Sequence, residues 1–159
     1  MDKKELIKLD EFLVSNKIEH FSAKELCLVR SLKVLNIPPE SLFENILPSL
    51  YFLEFMRKIY GPILVISGYR NKTNNSKVGG AKHSQHMEFR AIDSRPIDKG
   101  KYKQFRNTIK AFWENNLIFN QVDYNWLQEG NVDTSTMGFG TYNSNKFIHV
   151  DFGFRRRSW

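Results

Sequence analysis

Leu6, Leu9 and Leu13, with Phe12 beside them, recur at the spacing of one helix face and predict an amphipathic first helix. Ser22-Ala23-Lys24-Glu25 has the form of a capping box and sets a second helix start at Ser22; Pro38-Pro39 ends that segment. A third helix is predicted from near Pro48, a residue tolerated in a first turn. It buries Leu50, Leu53, Met56 and Tyr60, and Gly61 suits its stop. The pattern then changes period. Pro62 to Ile66 is a short β-branched run of the kind found in buried strands, and Asn71 to Gly80 is polar enough for a long loop. Phe89 to Ser94 predicts a second strand, and Phe105, Ile109 and Phe112 place a helix over Lys101 to Asn115. Leu117 to Tyr124 and Lys146 to Phe152 predict two further strands joined by a polar segment. Helices first and strands later argue an α+β fold, with N-terminal helices packed on a small, mainly antiparallel sheet.

The chain has 159 residues and no internal repeat, which favours one domain over 1–159: a helical lead-in over 1–60 and a core over 61–159. Hydrophobic residues make up 41% of it, including 13 Phe, enough for a core and too many for a disordered chain. A single cysteine, Cys27, excludes an internal disulfide and a cysteine-rich zinc site; its apolar neighbours mark it as a core thiol. Met1 to Ser15 is charged at nearly every second position, so it is not a signal peptide, and no stretch is apolar enough to span a membrane. Action outside the cytoplasm would need phage-type release or packaging in a virion. The net charge of +7 is divided almost evenly between the two halves of the chain. That spread fits general attraction to a polyanion such as a cell wall, and no nucleic-acid recognition motif accompanies it. The basic runs Lys99 to Arg106 and Arg155 to Arg157 are otherwise ordinary solvated faces.

Three residues suggest metal chemistry. His86 and Asp93 lie seven positions apart, and His149 stands on a later strand with Asp151 two residues on, on the same face. A zinc hydrolase needs three nitrogen or oxygen ligands and one open position. By spacing alone the set carries little, because a histidine is more often a satisfied core residue than a ligand.

The surroundings carry more. Ser67-Gly68-Tyr69-Arg70 follows the first core strand; then come Asn75, Val78-Gly79-Gly80-Ala81, Ser84-Gln85-His86 and Ala91-x-Asp93. Gly138-Phe139-Gly140-Thr141-Tyr142 and Phe147-Ile148-His149-Val150-Asp151 close the series. Over nearly its full length the chain resembles the M15 zinc peptidases, the DD-carboxypeptidase-like family with an M15/hedgehog-like fold, and especially its small phage and bacterial members. The resemblance implies one zinc ion held by His86, Asp93 and His149. It also implies that Arg70 orients or polarises substrate, that Gly79 and Gly80 shape the backbone near the site, and that Ser84 and Gln85 support the first ligand.

Two positions depart from the family pattern. Phe89 stands where the family has glycine, three residues after the first ligand histidine, and is expected to reshape the pocket wall. Lys146 stands where many members carry the acidic general base, three residues before the last ligand. Asp151, Glu88 and His83 are the candidate substitutes, Asp151 having the best geometric claim and, as its other reading, the orientation of His149. The expected function is zinc-dependent hydrolysis of peptide bonds in peptidoglycan stem peptides or cross-links by a monomeric, phage-type lysin. The rival is a zinc-stabilised structural or binding module of a virion that kept the metal and lost the base. A nucleic-acid-binding protein is a second rival, supported by charge alone.

Overall fold

The computed structural model describes residues 2–115, 134–142, 147–153 and 157–158. The first helix, α1 (Asp2–Ser15), buries Leu9 and Leu13 as its period requires. The capping box at Ser22 is formed: the Ser22 hydroxyl accepts from the Glu25 N–H, and the Glu25 carboxylate accepts from the Ser22 N–H at 3.1 Å. The helix it opens, α2 (Ala23–Cys27), is much shorter than a segment running to the prolines. The Leu26 carbonyl accepts from the Tyr69 N–H at 2.9 Å and the Cys27 carbonyl from the Asn36 N–H at 2.7 Å, which draws the backbone out of the helix. A two-stranded ribbon follows, β1 (Leu28–Val29) paired with β2 (Val34–Leu35). Cys27 is fully buried, and burial pushes its thiol up to about 12.

The helix α3 (Leu47–Tyr60) carries Pro48 in its first turn and ends on Gly61, whose φ of 79° suits a residue without a Cβ. It buries Leu50, Leu53 and Met56 against the sheet, while Tyr60 is half-buried and bonds Thr108 through its hydroxyl at 2.6 Å. Five strands form that sheet in the order β3-β4-β6-β5-β7, where β3 is Ile63–Ser67, β4 is Ala91–Pro96 and β5 is Met137–Tyr142. Phe147–Phe152 is β6 and Arg157–Ser158 is β7; only the β5–β7 pairing is parallel among the described strands. On one face, Ile92, Ile148, Val150 and Phe152 join the core under α3 and α5 (Tyr102–Asn115). The other face carries Asp93, His149 and Asp151. The fold is α+β with a mainly antiparallel sheet, as the sequence pattern indicates.

Several local expectations are corrected. The stretch over Asn71 to Gly80 is not all loop: α4 (Lys72–Lys77) forms because the Asn71 side chain caps the Asn74 N–H at 2.9 Å. The polar segment before Lys146 contains β5. Its two glycines are poor strand formers alone, but it pairs along its whole length with β6. The strand expected from Phe89 begins two residues later and runs to Pro96, so Asp93 lies within it rather than at its end. The run Leu117 to Tyr124, Lys146, Arg155 and Arg156 lie outside the described residues.

Phe89 explains the late start of β4. Its φ is 52°, the left-handed region that favours glycine, and its ring is fully buried, edge-on to Tyr69 at 6.0 Å. It does not line the cleft described below, so the expectation that it reshapes a pocket wall is not met. Glycine's backbone conformation is kept and an aromatic core contact added. Phe89→Ala is expected to cost about 3–5 kcal/mol. Phe89→Gly, despite losing one carbon more, should be more stable than Phe89→Ala by about 1 kcal/mol, because the left-handed strain disappears. Denaturant unfolding of both variants measures the order; alanine above glycine would contradict this account.

Candidate metal centre

Strand register builds the site. Asp93 on β4 is the direct cross-strand partner of His149 on β6, and Ser67 on β3 is the partner of Asp93 on its other side. His86 arrives from the turn before β4. There the Ser84 hydroxyl accepts from its backbone N–H at 3.3 Å, and the Arg90 N–H bonds the Gln85 carbonyl at 2.9 Å. Ser84 and Gln85 thus shape the backbone of the turn. The ring of His86 is held by a group that the sequence reading did not single out, the Gly68 carbonyl, which lies 2.6 Å from Nδ1. Glycine is required at 68: a Cβ there would come within 2.3 Å of the Leu26 carbonyl oxygen. Across the cleft, Gly79 has a φ of 70°, and a side chain at Gly80 would strike Asn75, whose amide bonds the Ala81 carbonyl at 3.0 Å.

Three ligand-type atoms converge. His149 Nδ1 lies 2.8 Å from Asp93 Oδ1 and 3.1 Å from His86 Nε2, and His86 Nε2 lies 3.2 Å from Asp93 Oδ1. All three residues are buried, and together they could hold a metal ion. Ligands in a tetrahedral zinc site, each about 2.0–2.1 Å from the ion, are separated by roughly 3.3 Å. The observed edges need only slight opening to meet that, and two nitrogens and one carboxylate oxygen suit zinc. With Nδ1–H of His86 donated to the Gly68 carbonyl, its Nε2 lone pair is free to face an ion.

Asp151 stands behind His149. Its Oδ2 is 3.1 Å from Nε2, the nitrogen facing away from the triad, and the carboxylate is fully buried and does not line the cleft. In this geometry the imidazole stands between Asp151 and the open side. Gly138, directly opposite on β5, makes room for it, since a Cβ there would lie 2.2 Å from Oδ2.

The triad lies at the floor of a cleft also lined by Arg70, His83, Ser84, Gln85, Gly79 and Gly80. Arg70 is half-buried, and its backbone N–H donates to the His86 carbonyl at 3.1 Å. Burial moves its guanidinium down from the usual range, with Asp93 opposing. Glu88 is exposed and does not line the cleft; its carbonyl accepts from the Asn45 side chain.

Burial alone would raise Asp93 and lower both histidines. For Asp93 the charges and hydrogen bonds of His86 and His149 outweigh burial and hold it well below the usual carboxylate range. Burial wins at His86, which is lowered. At His149 the hydrogen bonds to Asp151 and Asp93 win, and the ring is raised above its ordinary value. The raised His149 stabilises the metal-free fold below its ordinary value near 6.5, and this contribution is lost as pH rises through the higher folded value. An ion on Nδ1 must displace that proton. Zinc binding is therefore expected to release protons, more of them below the His149 titration than above it, with apparent affinity rising as pH is raised through it. Calorimetry in buffers of different ionisation enthalpy counts the protons at several pH values; a count that does not fall as pH is raised would remove His149 Nδ1 from the ligand set.

No curated protein matches the chain. A family model described as Peptidase M15 matches residues 19–123, about two thirds of the chain, and the match takes in Arg70, His86 and Asp93. Together with the buried His-Asp-His group, this match identifies the chain as a member of the M15 family of metallopeptidases.

Proposed function

We propose that the protein is a zinc-dependent peptidase acting on peptide bonds in the stem peptides or cross-links of bacterial peptidoglycan, as a phage-type lysin. The observation that carries this reading is the buried His86–Asp93–His149 triad opening into a cleft that also presents Arg70. A site serving only to stabilise the fold would need the ligands and would have no use for a half-buried guanidinium beside them.

Zinc in such a site supplies Lewis-acid polarisation of a carbonyl and activation of a water. The remaining work falls to the chain. Arg70 binds a substrate carboxylate or opposes the negative charge developing on the carbonyl oxygen, which a fixed, always-charged guanidinium does without reorganisation. Gly68 and Asp151 hold the rings of His86 and His149 in the tautomers that ligation needs. Of the three candidate bases, Asp151 is shielded and Glu88 lies off the cleft, so proton acceptance falls to His83, which lines it.

Digestion of purified sacculi, with released fragments identified by mass, tests the activity and names the bond. His83→Ala is expected to lower kcat by about 10²- to 10⁴-fold with zinc retained. Asp151→Asn is expected to weaken zinc binding by about 10- to 100-fold and to recover turnover when zinc is added. A zinc-replete Asp151→Asn protein that stays inactive would restore Asp151 as the base. If wild type is inert and Lys146→Asp turns over, the virion-module reading replaces the enzyme.

A further inference from the structure

The cleft is much larger than the triad at its floor, with a volume of about 1020 Å³. Drug-sized ligands occupy sites of roughly 300–1,000 Å³. Its lining crosses the strands. His149 faces Asp93, Asp93 faces Ser67, and the Arg30 N–H donates to the Ile66 carbonyl at 3.4 Å, which lays the β1–β2 ribbon along the other edge of β3. Adjacent strands lie about 4.8 Å apart, so the ribbon is roughly 10 Å from Asp93, about three residues of extended peptide.

At that outer end lie Val29, Ser31, Leu32 and Ile66; α4 is tied to the same end by Asn36, whose Oδ1 accepts from the Asn71 N–H and the Asn74 amide, and its last residue, Lys77, and Val78 line the cleft. The charges lining the cleft among the described residues are Arg70, Lys77 and Asp93, besides the histidines. Asp93 is engaged by His86 and His149. Lys77 is exposed and has no ion-pair partner among the described residues, so the outer arm carries a positive charge that no acidic side chain there answers.

We infer that this outer arm is a subsite for a carboxylate-bearing stretch of peptide about three residues from the metal, with Lys77 as its specificity-determining residue. The inference rests on the peptidase reading for the kind of ligand, but it concerns binding and is measured without turnover. The arm's apolar wall accepts small aliphatic side chains, and Lys77 distinguishes a free carboxylate from its amide at the same position. A neutral ligand gains nothing from Lys77, whereas a negative one gains an exposed ion pair. Such a pair corresponds to up to about fivefold in affinity and is screened by salt.

The experiment is calorimetric titration of the zinc-loaded protein, carried in the slow His83→Ala background so that binding is read ahead of hydrolysis, with three probes: D-Ala-D-Ala, the pentapeptide L-Ala-γ-D-Glu-L-Lys-D-Ala-D-Ala, and the same pentapeptide with its glutamate α-carboxyl amidated. With Lys77 present, the acidic pentapeptide is expected to bind up to about fivefold more tightly than its amide, with the preference fading in high salt. Lys77→Gln should erase the preference and Lys77→Glu should reverse it, both with unchanged zinc content and unchanged dipeptide affinity. A preference that survives in Lys77→Gln, or a pentapeptide that binds no better than the dipeptide, overturns the subsite. Failure of the peptidase reading is seen separately, as intact sacculi beside a charge preference that Lys77 still controls.

Discussion

The pairing of Asp93 with His149 across β4 and β6 is the constraint on which the site depends. Direct cross-strand partners have their side chains close together on one face, so a single register decision brings the carboxylate within 2.8 Å of the imidazole. The same register places Asp151 beyond His149 and sets Gly138 opposite Asp151, where no side chain would fit. A slip of one residue would turn all of these groups into the hydrophobic core and Ile92, Ile148 and Val150 out of it. The apolar face therefore enforces the geometry of the polar one.

Burying two histidines and two aspartates on that face is costly unless each group is answered. The answers are local and directional: a backbone carbonyl for His86, a carboxylate behind His149, and two imidazoles around Asp93. Without an ion, the two carboxylates flanking the His149 ring favour its protonated form. An ion replaces that proton, so metal binding and local electrostatics are two occupancies of one position. The turn that follows β3 supplies both the Gly68 carbonyl and Arg70, which couples the holder of the first histidine to the residue assigned to substrate.

Phe89 illustrates how a departure from a family pattern can preserve its geometry. The turn after His86 needs a left-handed residue to swing the chain into β4, and glycine meets that need without strain. Phenylalanine accepts the same backbone conformation here because its ring fills core space beside Tyr69. A side chain that looks from the sequence like an intrusion on the pocket is buried in the core and does not line the cleft.

Much of the protein was legible in its sequence because the signals are local or periodic. The capping box at Ser22, Pro48 and Gly61 bounding α3, and the spacing of Phe105, Ile109 and Phe112 each depend on neighbours within a few residues. The candidate metal residues were legible too, through motif order rather than spacing. What the sequence by itself determined is thus the helices, the apolar strands and the candidate ligand set. Tertiary structure alone decided that α2 stops at Cys27, because the carbonyls that end it bond to Tyr69 and Asn36, far along the chain. It decided that a glycine-rich segment becomes β5, because its pairing with β6 outweighs poor propensity. It also decided that Asp151 faces the back of His149 and not the cleft. Alternation along a strand puts the two side chains on one face, but which ring nitrogen meets which carboxylate depends on the neighbouring strands, and no local pattern encodes that.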